Sequence, residues 1–157
     1  MKTKNFVWVI STLFAILFLY TGISKLLNFG LFKAQLATSP ILVPIATVVA
    51  LVMPVTEIVV SVLVYLPATR LKGLYASLYL MVLFIAYIVA ILLFDPHVPC
   101  SCGGVIEQLS WTGHIILNSV LTVAAWVAIR LEGKLTKAVP RPADDQRLIQ
   151  PTQNVIR

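Results

Sequence analysis

The sequence predicts an all-α integral membrane protein, a four-transmembrane-helix bundle followed by a flexible C-terminal tail. Three observations predict it. Of 157 residues, 59 % are apolar and only 11 % are charged, against roughly 45–50 % and about 25 % in a soluble domain. The mean hydropathy is +0.95. Four stretches of at least 20 residues carry one formal charge or none, and about 20 apolar residues in a helix cross a bilayer core of ~30 Å. The same numbers exclude a soluble globular enzyme, a disordered chain and a nucleic-acid module with a basic face. The length leaves little room for a separate soluble domain.

The spans follow in order. Asn5 to Ser24 holds 20 residues without a charge and gives a helix near 6–27. Lys2 and Lys4 resemble the charged start of a signal peptide. The apolar stretch, however, exceeds the 7–15 residues of such a segment and no Ala-x-Ala-like site ends it, so it is read as a retained helix. Ala34 to Thr69 holds 36 residues with a single charge, Glu57. It begins with a polar loop, Gln35-Leu36-Ala37-Thr38-Ser39-Pro40, and continues as a helix near 44–66. Gly73 to Phe94 has 22 residues and no charge, giving a helix near 73–94. Gln108 to Ile129 also has 22, with His114 counted as neutral, giving a helix near 111–130. Each run is far longer than the ~10 residues of a barrel strand. The reading therefore divides the chain into a membrane domain, 1–131, and a cytoplasmic tail, 132–157. That tail carries Pro140, Pro142, Pro151, Asp144 and Asp145 without a sustained apolar period, which suits a disordered segment.

Charge predicts the orientation. In a four-span topology Lys2, Lys4, Arg70, Lys72, Arg130, Lys134, Lys137, Arg141, Arg147 and Arg157 share one side, and only Lys25 and Lys33 fall on the other. Basic residues collect on the cytoplasmic side. Both termini are thus expected inside, in a bacterial inner membrane. The segment Asp95 to Ser110 has no Lys or Arg and is expected on the periplasmic side.

That segment carries both cysteines of the chain, within Val98-Pro99-Cys100-Ser101-Cys102-Gly103-Gly104. A bridge between cysteines one residue apart closes an eleven-membered ring, which is strained and easily reduced. On an oxidising face such a pair can cycle. The alternatives are two free thiols, or a static bridge in a non-enzymatic membrane scaffold. A metal reading uses Cys100 and Cys102 with His97 and His114, since thiolate and imidazole suit copper(I) or zinc. No longer zinc-type ligand spacing supports it.

Trp111, His114 and Asn118 are spaced i, i+3, i+7 and share one helix face. His114 either tunes a neighbouring thiol or belongs to an interfacial anchor with Trp111. Asn118 is read as a hydrogen-bonding contact to a neighbouring helix. Glu57 is costly in a span and should face the bundle with a partner. Pro54, one turn earlier, makes that helix locally irregular. Gly22 and Ser24 permit close helix approach. Lys25 is read either as a snorkelling residue or as the partner of Glu57. If the first helix ends at Leu27, Lys25 lies ~3 Å inside the boundary and Glu57 ~20 Å below Pro44, too far to meet. If it runs on through Phe32, Lys25 drops to ~10 Å and the pair is reachable. Thr21 is the fallback partner.

Taken together, Thr21-Gly22-Ile23-Ser24-Lys25-Leu26, Glu57, Pro99-Cys100-Ser101-Cys102-Gly103-Gly104 and the Trp111, His114, Asn118 stripe resemble the MauE branch of the DoxX-like membrane proteins. The resemblance covers roughly residues 6–130. It implies a four-helix membrane protein associated with redox maturation of periplasmic proteins. Its namesake serves the disulfide-rich small subunit of methylamine dehydrogenase, alongside a thioredoxin-like partner. On the reading of the residues Cys100 and Cys102 are the catalytic pair and His114 tunes them, and the resemblance adds as partners a thioredoxin-like protein and a disulfide-containing client. The plan is also similar to four-helix oxidoreductases of the DsbB and vitamin K epoxide reductase type, which carry two cysteine pairs and a quinone. A quinone is the cofactor this second likeness would bring. With one pair the chain has no internal relay, which makes an external thiol partner more necessary.

Overall fold

The computed structural model describes residues 2–38, 42–94 and 111–137. These form five α-helices: α1 (Lys2–Leu27), α2 (Phe29–Leu36), α3 (Ala46–Tyr65), α4 (Arg70–Phe94) and α5 (Trp111–Lys137). A single 3-10 turn, Val43–Ile45, leads into α3. Four of the helices are long and apolar enough to cross a membrane, and only 28–39 % of each one's most apolar stretch is buried within the protein. The remainder, including Trp8, Ile16, Val48, Tyr79 and Val123, faces outward. An apolar exterior around an apolar interior is what a bilayer solvent selects.

The long helices run alternately up and down. α1 packs on α3 and α5, and α4 packs on the other sides of α3 and α5. The upper end is taken as the one where α1 and α4 finish and α3 and α5 begin. The lower half holds the main core, in which Phe14, Phe18, Val60, Val64, Leu74 and Met81 are buried together with residues of α5. The Phe14 and Phe18 rings stack at 5.9 Å between centroids.

Small and polar residues set the helix spacings. A Cβ on Gly22 would stand 2.9 Å from Ile58 Cγ1 and 3.0 Å from the Pro54 carbonyl oxygen. α1 and α3 therefore approach closely there, as small residues allow in membrane helices. Ser61 fixes their register by donating to the Ala15 carbonyl at 2.7 Å. At the lower end Gly73 abuts α3 more tightly still, 2.5 Å from Val64 N to an added Cβ. Pro54 sits inside α3, which stays helical from Ala46 to Tyr65 on both sides of it.

Two features differ from the sequence reading. α5 runs on to Lys137, past the expected end near 130. In addition, residues expected as connection form α2. Asn28 interrupts the first helix with φ −107 and ψ 36. The helical path nevertheless continues, because the Phe32 N–H donates to the Asn28 carbonyl at 2.9 Å. α2 buries Phe32 and Leu36 against Ala46 and Ala50 of α3. The tail beyond 137 lies outside the described residues.

Candidate functional site

Between the lower core and the small upper cluster lies a cavity of about 410 Å³, bordered by all five helices. Lys25 and Glu57 face each other in its wall. The Lys25 ammonium donates to Glu57 Oε1 at 2.7 Å and to Oε2 at 2.9 Å. Both residues are buried, 5 % and 1 % exposed. The Phe32 ring of α2 lies against the pair, with its centroid 5.8 Å from the ammonium.

The depth difficulty raised by the sequence disappears for a structural reason. The top of α1 and the top of α3 are not level, because α3's first turns rise beside α2. Side-chain direction closes the remaining offset. Each Cα–Cβ bond tilts toward its own helix's N-terminus. Lys25 consequently leans downward on α1 and Glu57 upward on antiparallel α3, and they meet.

His114 and Asn118 line the same cavity. His114 is 1 % exposed and Asn118 8 %. Asn118 donates its amide to the His114 carbonyl at 2.8 Å, a bond within α5 rather than to a neighbouring helix. Thr21 also lines the cavity, and its hydroxyl donates to the Leu17 carbonyl at 3.0 Å. His114 and Asn118 of α5 and the ion pair of α1 and α3, far apart in the chain, thus line one cavity. Trp111 is the first residue of α5. Cys100 and Cys102 lie outside the described residues, as does His97. By chain connection their segment joins α4 to α5 at the upper end, the cavity's end of the bundle.

The sequence profile described as methylamine utilisation protein MauE matches residues 3–131. The chain belongs to the MauE family. No curated protein and no solved structure matches it. As a MauE-family chain it is a multi-pass membrane protein of methylamine utilisation type. The matched residues include every residue that lines the cavity, and both cysteines as well.

Sequence reasoning did not single out Tyr87 and Thr56, which also line this cavity. Each carries a hydroxyl within an apolar span, and that was the available signal. Met53 and Met81 are in the lining too; a methionine inside an apolar helix carries no such signal, because it is ordinary core filling.

Proposed function

We propose that this MauE-family chain is a membrane thiol–disulfide protein that supports maturation of periplasmic proteins. Cys100 and Cys102 exchange electrons with a thioredoxin-like partner, which in turn serves a disulfide-containing client. The observation that carries the reading is the position of His114. It is buried in the wall of the cavity that the ion pair also lines, in the half of the bundle that the cysteine segment joins. The family supports the same reading. In the exchange, a partner thiolate attacks one sulfur of the Cys100–Cys102 bridge and a mixed disulfide forms. The partner's second thiolate then releases the chain. Two electrons and two protons pass to the pair, and the partner leaves oxidised; the reverse sequence reoxidises it. His114 serves as the proton-handling group of that exchange, and the Lys25–Glu57 pair holds α1 against α3 around it.

Separate Cys100→Ser and Cys102→Ser variants test this after acid quenching, alkylation and non-reducing electrophoresis. At least one should hold a partner in a reducible adduct that the double variant lacks. Suppose neither does, and the wild-type pair stays fully reduced or resists mild reductant. The redox reading then fails and a non-enzymatic assembly scaffold replaces it, a role that the Lys25–Glu57 pair and the Ser61–Ala15 bond between helices would serve.

A further inference from the structure

The ion pair and His114 account for the inner side of the cavity but not for its outer side. Val48 and Val52 of α3 and Leu83 of α4 belong to the lining, yet they are 62, 54 and 44 % exposed. Among the described residues the cavity therefore reaches the outside of the bundle between α3 and α4. At the lower end the same two helices are locked by Gly73 against Val64, so the opening is confined to the upper half. A lateral opening in a membrane bundle faces acyl chains. Inward from it the walls are apolar, with Val49, Met53, Leu80 and Phe84. The lining carries hydroxyls at Thr56 and Tyr87, and its charged and strongly polar groups, Lys25, Glu57, His114 and Asn118, are buried together with Thr21.

We propose that this cleft binds an uncharged, lipid-dissolved molecule with an apolar tail and a head group that accepts a hydrogen bond. It enters between α3 and α4 and places its head at Lys25. Charge selects the class. The formal charges of Lys25 and Glu57 cancel, so a charged head would lie uncompensated in a low-dielectric site, which is expensive. Donor arithmetic selects the head. An ammonium has three N–H donors, and among the described residues Glu57 takes two of them. The third suits a carbonyl or hydroxyl oxygen. Size selects the extent. About 410 Å³ lies toward the small end of ligand pockets, ~300–1,000 Å³. It accommodates a head and the first carbons of a tail, with the remaining tail in the bilayer. Binding requires no cysteine and does not rest on the thiol reading.

The test uses the full chain in liposomes and photoreactive probes with one common tail and four heads: alcohol, methyl ketone, sulfonate and trimethylammonium. After photolysis, peptide mapping should find the alcohol and ketone on α3 near Met53 and on α4 near Phe84. Unlabelled ketone should compete. The sulfonate and ammonium probes should label only the outer faces. Val52→Trp fills the mouth without touching the ion pair and should abolish cleft labelling. In the paired variant Lys25→Met with Glu57→Leu, tails should still enter. Against a fifth probe with the same tail and no head, the preference for ketone should there fall about tenfold, as expected for one lost hydrogen bond to a charged donor. A variant with both cysteines replaced by serine should label as the wild type does. Equal cleft labelling by charged heads, indifference to Val52→Trp, or loss of labelling without the cysteines would overturn the proposal.

Discussion

Lys25 and Glu57 show how much of the upper half depends on two side chains. Each is charged and buried inside a membrane span, and among the described residues each is neutralised by the other. Removing one partner of a buried pair leaves an uncompensated charge and costs about 3–5 kcal/mol. Glu57→Gln and Lys25→Met should each destabilise on that scale in reversible unfolding from mixed micelles. The double variant should be milder than the sum of the two, because the second change removes the charge that the first exposed. Strict additivity would mean that the two residues are uncoupled despite their 2.7 Å separation. The identity of this pair was legible in the sequence, since a lone carboxylate in a span needs a partner and Lys25 is the basic residue inside the first span expected near 6–27. Its geometry was not, because that depends on α2 and on the relative heights of α1 and α3. The gathering of His114 with the pair was equally hidden. Helical spacing shows which residues share a face of α5 but not which way that face turns.

At the scale of elements, the long helices were legible because charge gaps mark them directly. α2 was not. Its eight residues are too few for a span, and Gly30, Lys33 and Gln35 interrupt its apolar pattern. The signal present was Phe29, Phe32 and Leu36 at i, i+3, i+7, one face of a short helix. Helix spacing also yields a ranking of two glycines. An added Cβ at Gly22 meets Ile58 Cγ1 at 2.9 Å, a side-chain atom, and a carbonyl oxygen at 3.0 Å. At Gly73 it meets backbone atoms of Val64 and Leu63 at 2.5 and 2.7 Å. A side chain yields by a rotamer shift, whereas helix backbone must move as a unit. Overpacking typically costs about 1–3 kcal/mol. Gly22→Ala should fall within that range, and Gly73→Ala should exceed it and lower the yield of folded protein. Unfolding curves of the two variants compared side by side check the order, and a milder effect at Gly73 would contradict the contact between α3 and α4.

For the whole molecule, the asymmetry of charge becomes sharper once the structure is known. The sequence sets ten basic residues on one side against Lys25 and Lys33 on the other. Lys25 is buried in its ion pair, so it contributes little to the field that orients the chain. Among the described residues Lys33, on α2, is the exposed basic residue of the upper end. At the lower end Arg70 lies near Glu132 at 3.7 Å, and Arg130 packs over the Trp126 ring at 4.9 Å. Lys4, Lys72 and Lys134 stand at the same end, at the foot of α1, α4 and α5. Basic residues close to span ends are the ones that set orientation. The lower end should therefore face the cytoplasm, and the segment with Cys100 and Cys102 should face the oxidising side, where a thiol pair can cycle. A reporter active only outside the cytoplasm should be active when fused after Gly104 and silent after Lys137. A reporter active only inside should give the opposite pattern. Reversal of both would turn the cysteines toward a reducing compartment and remove the oxidising environment on which the proposed exchange depends.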